Sequence, residues 1–136
     1  MSTPLPVART VIEMRSQVAE WRRAGLRIGL VPTMGWLHEG HRSLIERSRS
    51  ENATTVMTLF VNPKQFNSAA DLARYPRNET RDLAMAADDG VDLVFAPDAD
   101  EVYPPGFETT VSVGRLATVL EGAARPGHFD GVATVV

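Results

Sequence analysis

The sequence predicts an α/β domain with a doubly wound parallel sheet, and three observations lead there. Short apolar runs at residues 28–31, 54–61 and 92–96 are each followed within two residues by a proline, and runs of that length bounded by breakers are read as strands rather than helices. Stretches with helical spacing separate them. Strands alternating with helices at this interval imply right-handed crossovers, hence parallel pairing with helices on both faces. Ligands of such sheets lie beyond the carboxyl ends of the strands. Residues 32–35 and 62–65 directly follow two predicted strand ends, so one crevice can contain both.

Taken in order, Thr10 to Glu13 has the form of a capping box, and Met14, Val18 and Trp21 recur at helical spacing as far as Gly25. Residues 28–31 form a buried strand that Pro32 stops. Leu44 and Ile45 among Arg42, Glu46, Arg47 and Arg49 make an amphipathic helix over 43–49. The β-branched run 54–61 is a second strand, ended by Pro63. Residues 67–77 are polar and predict a loop with short turns. Asn78 can cap a helix carrying Leu83, Met85 and Ala87 that stops at Gly90. A third strand, 92–96, ends at Pro97. Beyond it, Tyr103-Pro104-Pro105-Gly106 is a turn, 109–113 a short strand and 116–120 a short helix. Trp21 is expected in the core and Trp36 in a partly exposed turn.

Composition narrows the function. With 136 residues, 43% hydrophobic, the chain has the size of one domain and can bury roughly two-thirds of its unfolded surface. The net charge of −3 with no long basic run argues against a nucleic-acid footprint, which leaves a small molecule as the expected partner. Absence of cysteine rules out disulfides and thiolate metal sites. No apolar stretch is long enough to cross a bilayer, and the N-terminus lacks a signal-peptide pattern; a soluble, cytoplasmic protein is the simplest expectation. Only Lys64 among the 14 basic residues is a lysine.

The densest chemistry lies in Pro32-Thr33-Met34-Gly35-Trp36-Leu37-His38-Glu39-Gly40-His41. It joins a strand to a helix start, where the first N–H groups lack partners and the helix dipole favours an anion such as the phosphates of ATP. His38 and His41, three apart, share one face and can reach one ligand. A zinc-protease helix needs His-Glu-x-x-His, whereas this chain has His-Glu-Gly-His and only His128 elsewhere. A phosphate site is therefore preferred over a metal site or an ordinary polar helix cap, and no metal ligands are assigned.

Five blocks then occur in order: Pro32-Thr33-Met34-Gly35, Leu37-His38-x-Gly40-His41, Phe60-Val61-Asn62-Pro63-x-Gln65-Phe66, Asp71-Leu72-x-x-Tyr75-Pro76-Arg77 and Arg125-Pro126-x-His128-Phe129-x-Gly131-Val132. Together they resemble the pantothenate synthetase (pantoate–β-alanine ligase) family. The second block alone would indicate only the wider class of HIGH-motif nucleotidyltransferases. The resemblance implies a Rossmann-like sheet of that type and ATP-dependent condensation of pantoate with β-alanine through a pantoyl adenylate, with Mg2+ on the ATP phosphates. It implies His41 as the proton-donating catalytic residue with His38 as its phosphate-binding neighbour. The 32–41 decapeptide becomes the ATP-binding segment, with Met34 and Gly35 offering backbone N–H groups or close approach. Gln65, Met34, Phe60, Arg125 and His128 become the pantoate and β-alanine side. Asp71, Tyr75 and Arg77 would order a lid-like loop, Phe60 and Phe66 would form apolar wall, and Lys64 would point to solvent or touch a carboxylate. Arg125 and His128 would project into the crevice from the Pro126–Gly127 turn or else pin the loop.

Residues 1–136 would thus be an N-terminal nucleotide- and pantoate-binding domain. The apolar last residues, 131–136, look cut, and the family continues into a lysine-bearing C-terminal part absent here, so the fragment is expected to be inactive alone. The full-length family enzyme would be a homodimer. The rival readings are a non-catalytic small-ligand binding module and another HIGH-motif cytidylyl- or adenylyltransferase.

Overall fold

The computed structural model describes residues 4–136. It contains four parallel strands, β1 (Val7–Ala8), β2 (Ile28–Thr33), β3 (Thr54–Leu59) and β4 (Leu93–Phe95), in the order β1-β4-β3-β2. The helices α1 (Val11–Arg23), α2 (Glu39–Glu51) and α4 (Glu79–Asp88) connect them. Side chains alternate along each strand, so the sheet has two apolar faces. Val31, Met57 and Val94 face Leu37, Ile45 of α2 and Ala86 of α4. Ala8, Val56 and Leu93 face Met14, Val18 and Trp21 of α1. The expected doubly wound architecture is therefore present.

The helix ends follow their local signals. Thr10 accepts from the N–H of Glu13 at 3.1 Å, but Glu13 returns its carboxylate to the N–H of Arg9 at 3.0 Å rather than to Thr10. Asn78 caps α4 as predicted, accepting from the N–H of Arg81 at 3.1 Å. Close approach sets Gly29, since a Cβ there would lie 2.0 Å from Oγ of Ser48 in α2.

Several expectations need correction. Pro32 does not stop β2, which runs through it to Thr33. The strand is also not buried on both sides, because it is an edge strand whose residues alternate and whose Leu30 is 58% exposed; at an edge a missing N–H removes no required ladder bond. β3 ends at Leu59, where the chain leaves the sheet for the 3-10 turn Pro63–Gln65. β1 is invisible to pattern reading because two residues carry no periodicity. Within the predicted loop 67–77 lies α3 (Ala69–Arg74), capped by Ser68, whose hydroxyl accepts from the N–H of Asp71. Residues 109–113 form no strand: the N–H groups of Val111 and Val113 reach Thr134 Oγ1 and Asp130 Oδ1 of the last helix, α7 (His128–Val135). Residues 114–118 form a 3-10 turn in place of the helix expected at 116–120, and α6 (Glu121–Ala124) follows after Leu120, whose φ is 50°. The short α5 (Ala99–Val102) follows β4.

Candidate active site

At the carboxyl ends of β2, β3 and β4, a cavity of about 380 Å³ opens on the α1 side of the sheet, with Val132 and Val135 of α7 forming part of its wall. Its wall is largely apolar, and Thr33, His41, Thr58, Gln65 and Tyr75 supply the polar groups. Among the candidates, Pro32, Thr33, Met34, His41, Phe60 and Gln65 meet here, although Thr33 and Gln65 are separated by a helix and a strand in sequence. A second cavity of about 270 Å³ shares Met34 and Phe60 with the first and adds Gly35, Arg77 and Asp82.

The turn carrying the histidines is held from within. Gly35 and Trp36 have φ values of 82° and 54°; the first is natural for glycine, the second costs a tryptophan of order 1–3 kcal/mol. A side chain at residue 35 would also strike Asp82 Oδ2 at 2.9 Å and Leu59 at 2.8 Å. Asp82 of α4, 1% exposed, offsets the strain by accepting from the N–H groups of Trp36 and Leu37, both at 2.9 Å. Arg81 closes the clamp, donating to the carbonyl of Leu37 at 2.9 Å and lying 4.9 Å from the Trp36 ring. The N–H of Gly35 is likewise occupied, by Oγ1 of Thr33 at 3.2 Å.

These bonds change the expected division of labour. Gly35 offers no free N–H, and Leu37, fully buried in the core, offers no side chain. Trp36 is 45% exposed beneath Arg81, and Glu39 pairs with Arg42 at 3.6 Å. Neither Trp36 nor Glu39 lines either cavity. The imidazoles at the start of α2 are themselves wired into the cap. His38 Nδ1 accepts from the N–H of Gly40 at 3.0 Å, and His41 Nδ1 accepts from the N–H of His38 at 3.2 Å, with the rings 4.1 Å apart. A nitrogen that accepts carries no proton, so in its neutral form each ring bears the hydrogen on Nε2, which has no protein partner among the described residues. Gly40 permits this cap, because a Cβ would sit 2.7 Å from Cε1 of His38. Burial, and then the neighbouring His38, push the His41 pKa below its ordinary value, against a weaker upward pull from Asp82. His41 is thereby favoured as a neutral donor.

Gln65 ends the 3-10 turn that Asn62 initiates by accepting from the N–H of Lys64 at 3.2 Å. Helix α7 packs directly on that turn, and Gly131 is required there because a Cβ would lie 2.2 Å from the Lys64 carbonyl. His128 does not line the cavity; its Nδ1 lies 3.0 Å from the carbonyl of Gln65, so it pins the turn from behind. Arg125 does not line it either. Lys64 touches no carboxylate among the described residues; its ammonium lies 4.8 Å from the Tyr103 ring and 5.3 Å from that of Phe107. The lid-like loop is ordered as expected at Arg77, which donates to the carbonyls of Tyr75 and Leu72 at 2.9 and 3.0 Å. Asp71 instead stays exposed beside Arg74 at 3.7 Å. Phe66 backs the wall by meeting Tyr75 edge-on at 5.7 Å.

Sequence reasoning passes over Asp82, Asn62 and Tyr103. For Asp82 a signal exists: helical spacing puts it on the same face as Met85 and the fully buried Ala86, and an acid on an apolar face needs donors.

The arrangement has close counterparts. A profile describing pantoate-beta-alanine ligases matches residues 6–136. Pantothenate synthetase of Cereibacter sphaeroides is 59% identical over 131 residues, covering 96% of this chain and 47% of the relative. That of Roseiflexus sp. is 58% identical over 132 residues, covering 96% of this chain and 46% of the relative. The chain thus spans about half the length of the curated relatives it matches. Among solved structures, pantothenate synthetase from Thermus thermophilus superposes with a TM-score of 0.84 at 50% identity, over 96% of this chain and 46% of that one. Pantoate-beta-alanine ligase from Francisella tularensis, complexed with beta-gamma ATP and beta-alanine, gives a TM-score of 0.90 at 38% identity, over 96% and 50%. With the profile running almost end to end and His41 and Gln65 meeting at one cavity, the chain belongs to the pantoate-beta-alanine ligase family.

Proposed function

We propose that this chain supplies the pantoate pocket and part of the ATP site of an AMP-forming ligase that joins pantoate to β-alanine. The observation that carries the reading is the pair of imidazoles at the start of α2, both held with Nε2 free to donate, with His41 on the wall of the cavity that Gln65 lines. In the first step a pantoate carboxylate oxygen attacks the α-phosphorus of ATP and pyrophosphate leaves. In the second the β-alanine amine attacks the acyl carbon of pantoyl adenylate, AMP leaves and the amine loses a proton. Negative charge shifts onto phosphoryl oxygens in the first step, and donors fixed beforehand at those oxygens stabilise the transition state more than the bound nucleotide. His41 is assigned that role with His38 beside it, while Gln65 binds pantoate.

The Francisella relative's complex with an ATP analogue and β-alanine supports the substrate assignment. The described residues contain no cluster of three His, Asp or Glu able to hold a metal, so Mg2+ is assigned to the ATP phosphates, where it would neutralise the leaving group. Arg125 and His128 are assigned to ordering the wall of the site rather than to the ligand. A homodimeric, cytoplasmic enzyme remains part of the proposal, and among the described residues no helix is long and apolar enough to cross a membrane. Single-turnover pyrophosphate release from ATP and pantoate tests the reading in a protein of the relatives' length carrying this chain. Release is expected only when pantoate is present; release independent of pantoate refutes it.

A further inference from the structure

We propose that Tyr103 is a positioning residue that acts through Asn62 to fix the orientation of the Gln65 amide, so that Gln65 meets its ligand as a hydrogen-bond donor. The argument starts from backbone groups, which have only one polarity. The N–H of Lys64 points at Asn62 Oδ1 at 3.2 Å, and Asn62 Nδ2 lies 3.0 Å from the carbonyl of Gly131. An N–H only donates and a carbonyl only accepts, so the Asn62 amide has a single orientation. Its second Nδ2 hydrogen then meets Gln65 at 2.9 Å, and the atom it meets is Oε1. The Gln65 oxygen is therefore turned toward Asn62, and its Nε2, which has no protein acceptor among the described residues, is left for the cavity.

Tyr103 supplies the last bond of this relay. Its hydroxyl is 2.7 Å from Asn62 Oδ1 and donates, because an amide oxygen cannot. The ring is held in turn by the Lys64 ammonium at 4.8 Å, by Phe107 edge-on at 5.0 Å and by Phe60 at 6.1 Å. Asn62 is 1% and Gln65 8% exposed, so water does not compete for these bonds, and reversing Gln65 would set one amino group against another. The ligand atom opposite Gln65 is then an acceptor, a hydroxyl or carboxylate oxygen. That last step rests on the cavity assignment made above; the orientation of the amide does not.

The test uses a protein of the relatives' length that carries this chain. Tyr103→Phe keeps the ring and removes the donor. The side-chain amide resonances of Gln65 are expected to move in the ligand-free protein, and KM for pantoate to rise about threefold with kcat and KM for ATP unchanged, as for one lost hydrogen bond. Asn62→Asp keeps the shape without an amino group, turns the Gln65 amide round and raises KM for pantoate about tenfold or more. In a Gln65→Ala background, Tyr103→Phe is expected to add nothing, because two residues acting as one unit do not add. Additive losses in that cycle, or Gln65 resonances unmoved in both variants, overturn the relay. A Gln65→Ala protein with unchanged KM for pantoate instead overturns the ligand assignment, and the resonances still decide the relay.

Discussion

Replacing Asp82 by alanine should unfold the histidine turn's support rather than touch a ligand. The carboxylate accepts two N–H bonds at 2.9 Å, and one of the donors belongs to Leu37, which is fully buried. Bonds to a charged acceptor contribute about 1.5–3 kcal/mol each, and a buried N–H left unpaired retains its full desolvation cost. The strained φ of 54° at Trp36 would lose the contact that offsets it. We therefore expect Asp82→Ala to cost about 3–5 kcal/mol, a fall in melting temperature of roughly 10–20 °C for a domain of this size. Asp82→Asn keeps one acceptor and aims an amino group at the other N–H, so its cost should lie near half of that. Urea unfolding gives the energies, and the ring resonances of His38 and His41 report whether the turn has moved. An Asp82→Ala protein within about 0.5 kcal/mol of the parent, with histidine resonances unshifted, would refute the claim that this carboxylate holds the turn.

Three further outcomes follow from the site. His41→Ala is expected to slow pyrophosphate release in a single turnover by roughly 10² to 10³, the usual loss for one transition-state donor, with the fold intact; an unchanged rate removes His41 from catalysis. Because burial lowers the His41 pKa below its ordinary 6.5, the unfolded chain takes up a proton before the folded one, so this residue's contribution to stability is present above pH 6.5 and lost as pH falls from there toward the folded value. Urea midpoints between about pH 7.5 and 5.5 should thus fall less steeply in His41→Gln than in the parent, and equal slopes would contradict the shift. Residues 1–136 alone are expected to yield no detectable pantothenate from ATP, pantoate and β-alanine, since among the described residues no lysine or arginine lines the larger cavity; turnover by the chain alone would mean that the arginines around it suffice.

What the sequence could disclose depended on how local each determinant is. Caps are local, and Thr10 and Asn78 were legible from spacing, as were the parallel order and the two-faced core. The turn at 32–41 was legible as the join between a strand and a helix start, but its internal wiring was not. Of the N–H groups at Gly35 and the helix start, those of Gly35 and Gly40 are already bonded to Thr33 and His38, and those partners lie within the same few residues, where no pattern separates a bond made from a bond offered. The distant partners of Asp82 and Asn62 were opaque for a different reason. They lie 45 and 69 residues away, so only the closed sheet brings the pairs together. Likewise Pro32 reads as a stop in isolation and becomes harmless once β2 takes the edge of the sheet.

The cations around the cavity are already committed: Arg42 grips Asp89 at 2.7 Å, Arg81 spans Leu37 and Asp82, Arg77 ties the Tyr75 loop, and Lys64 lies over two rings. In the proposed reaction a preorganised donor, charged or neutral, hastens the step to the extent that it meets the charge accumulating as pyrophosphate departs. Burial, which lowers the His41 pKa, favours the neutral form of that ring. Neutralising the net charge of the phosphates would, in that proposed reaction, fall to Mg2+, and the part proposed for this chain is to hold donors still. Gly40 and Gly131 make that rigidity possible, since each leaves out a Cβ where it would strike, in turn, the His38 ring and the Gln65 turn, so that the ring beside His41 and the turn carrying Gln65 are each seated against backbone.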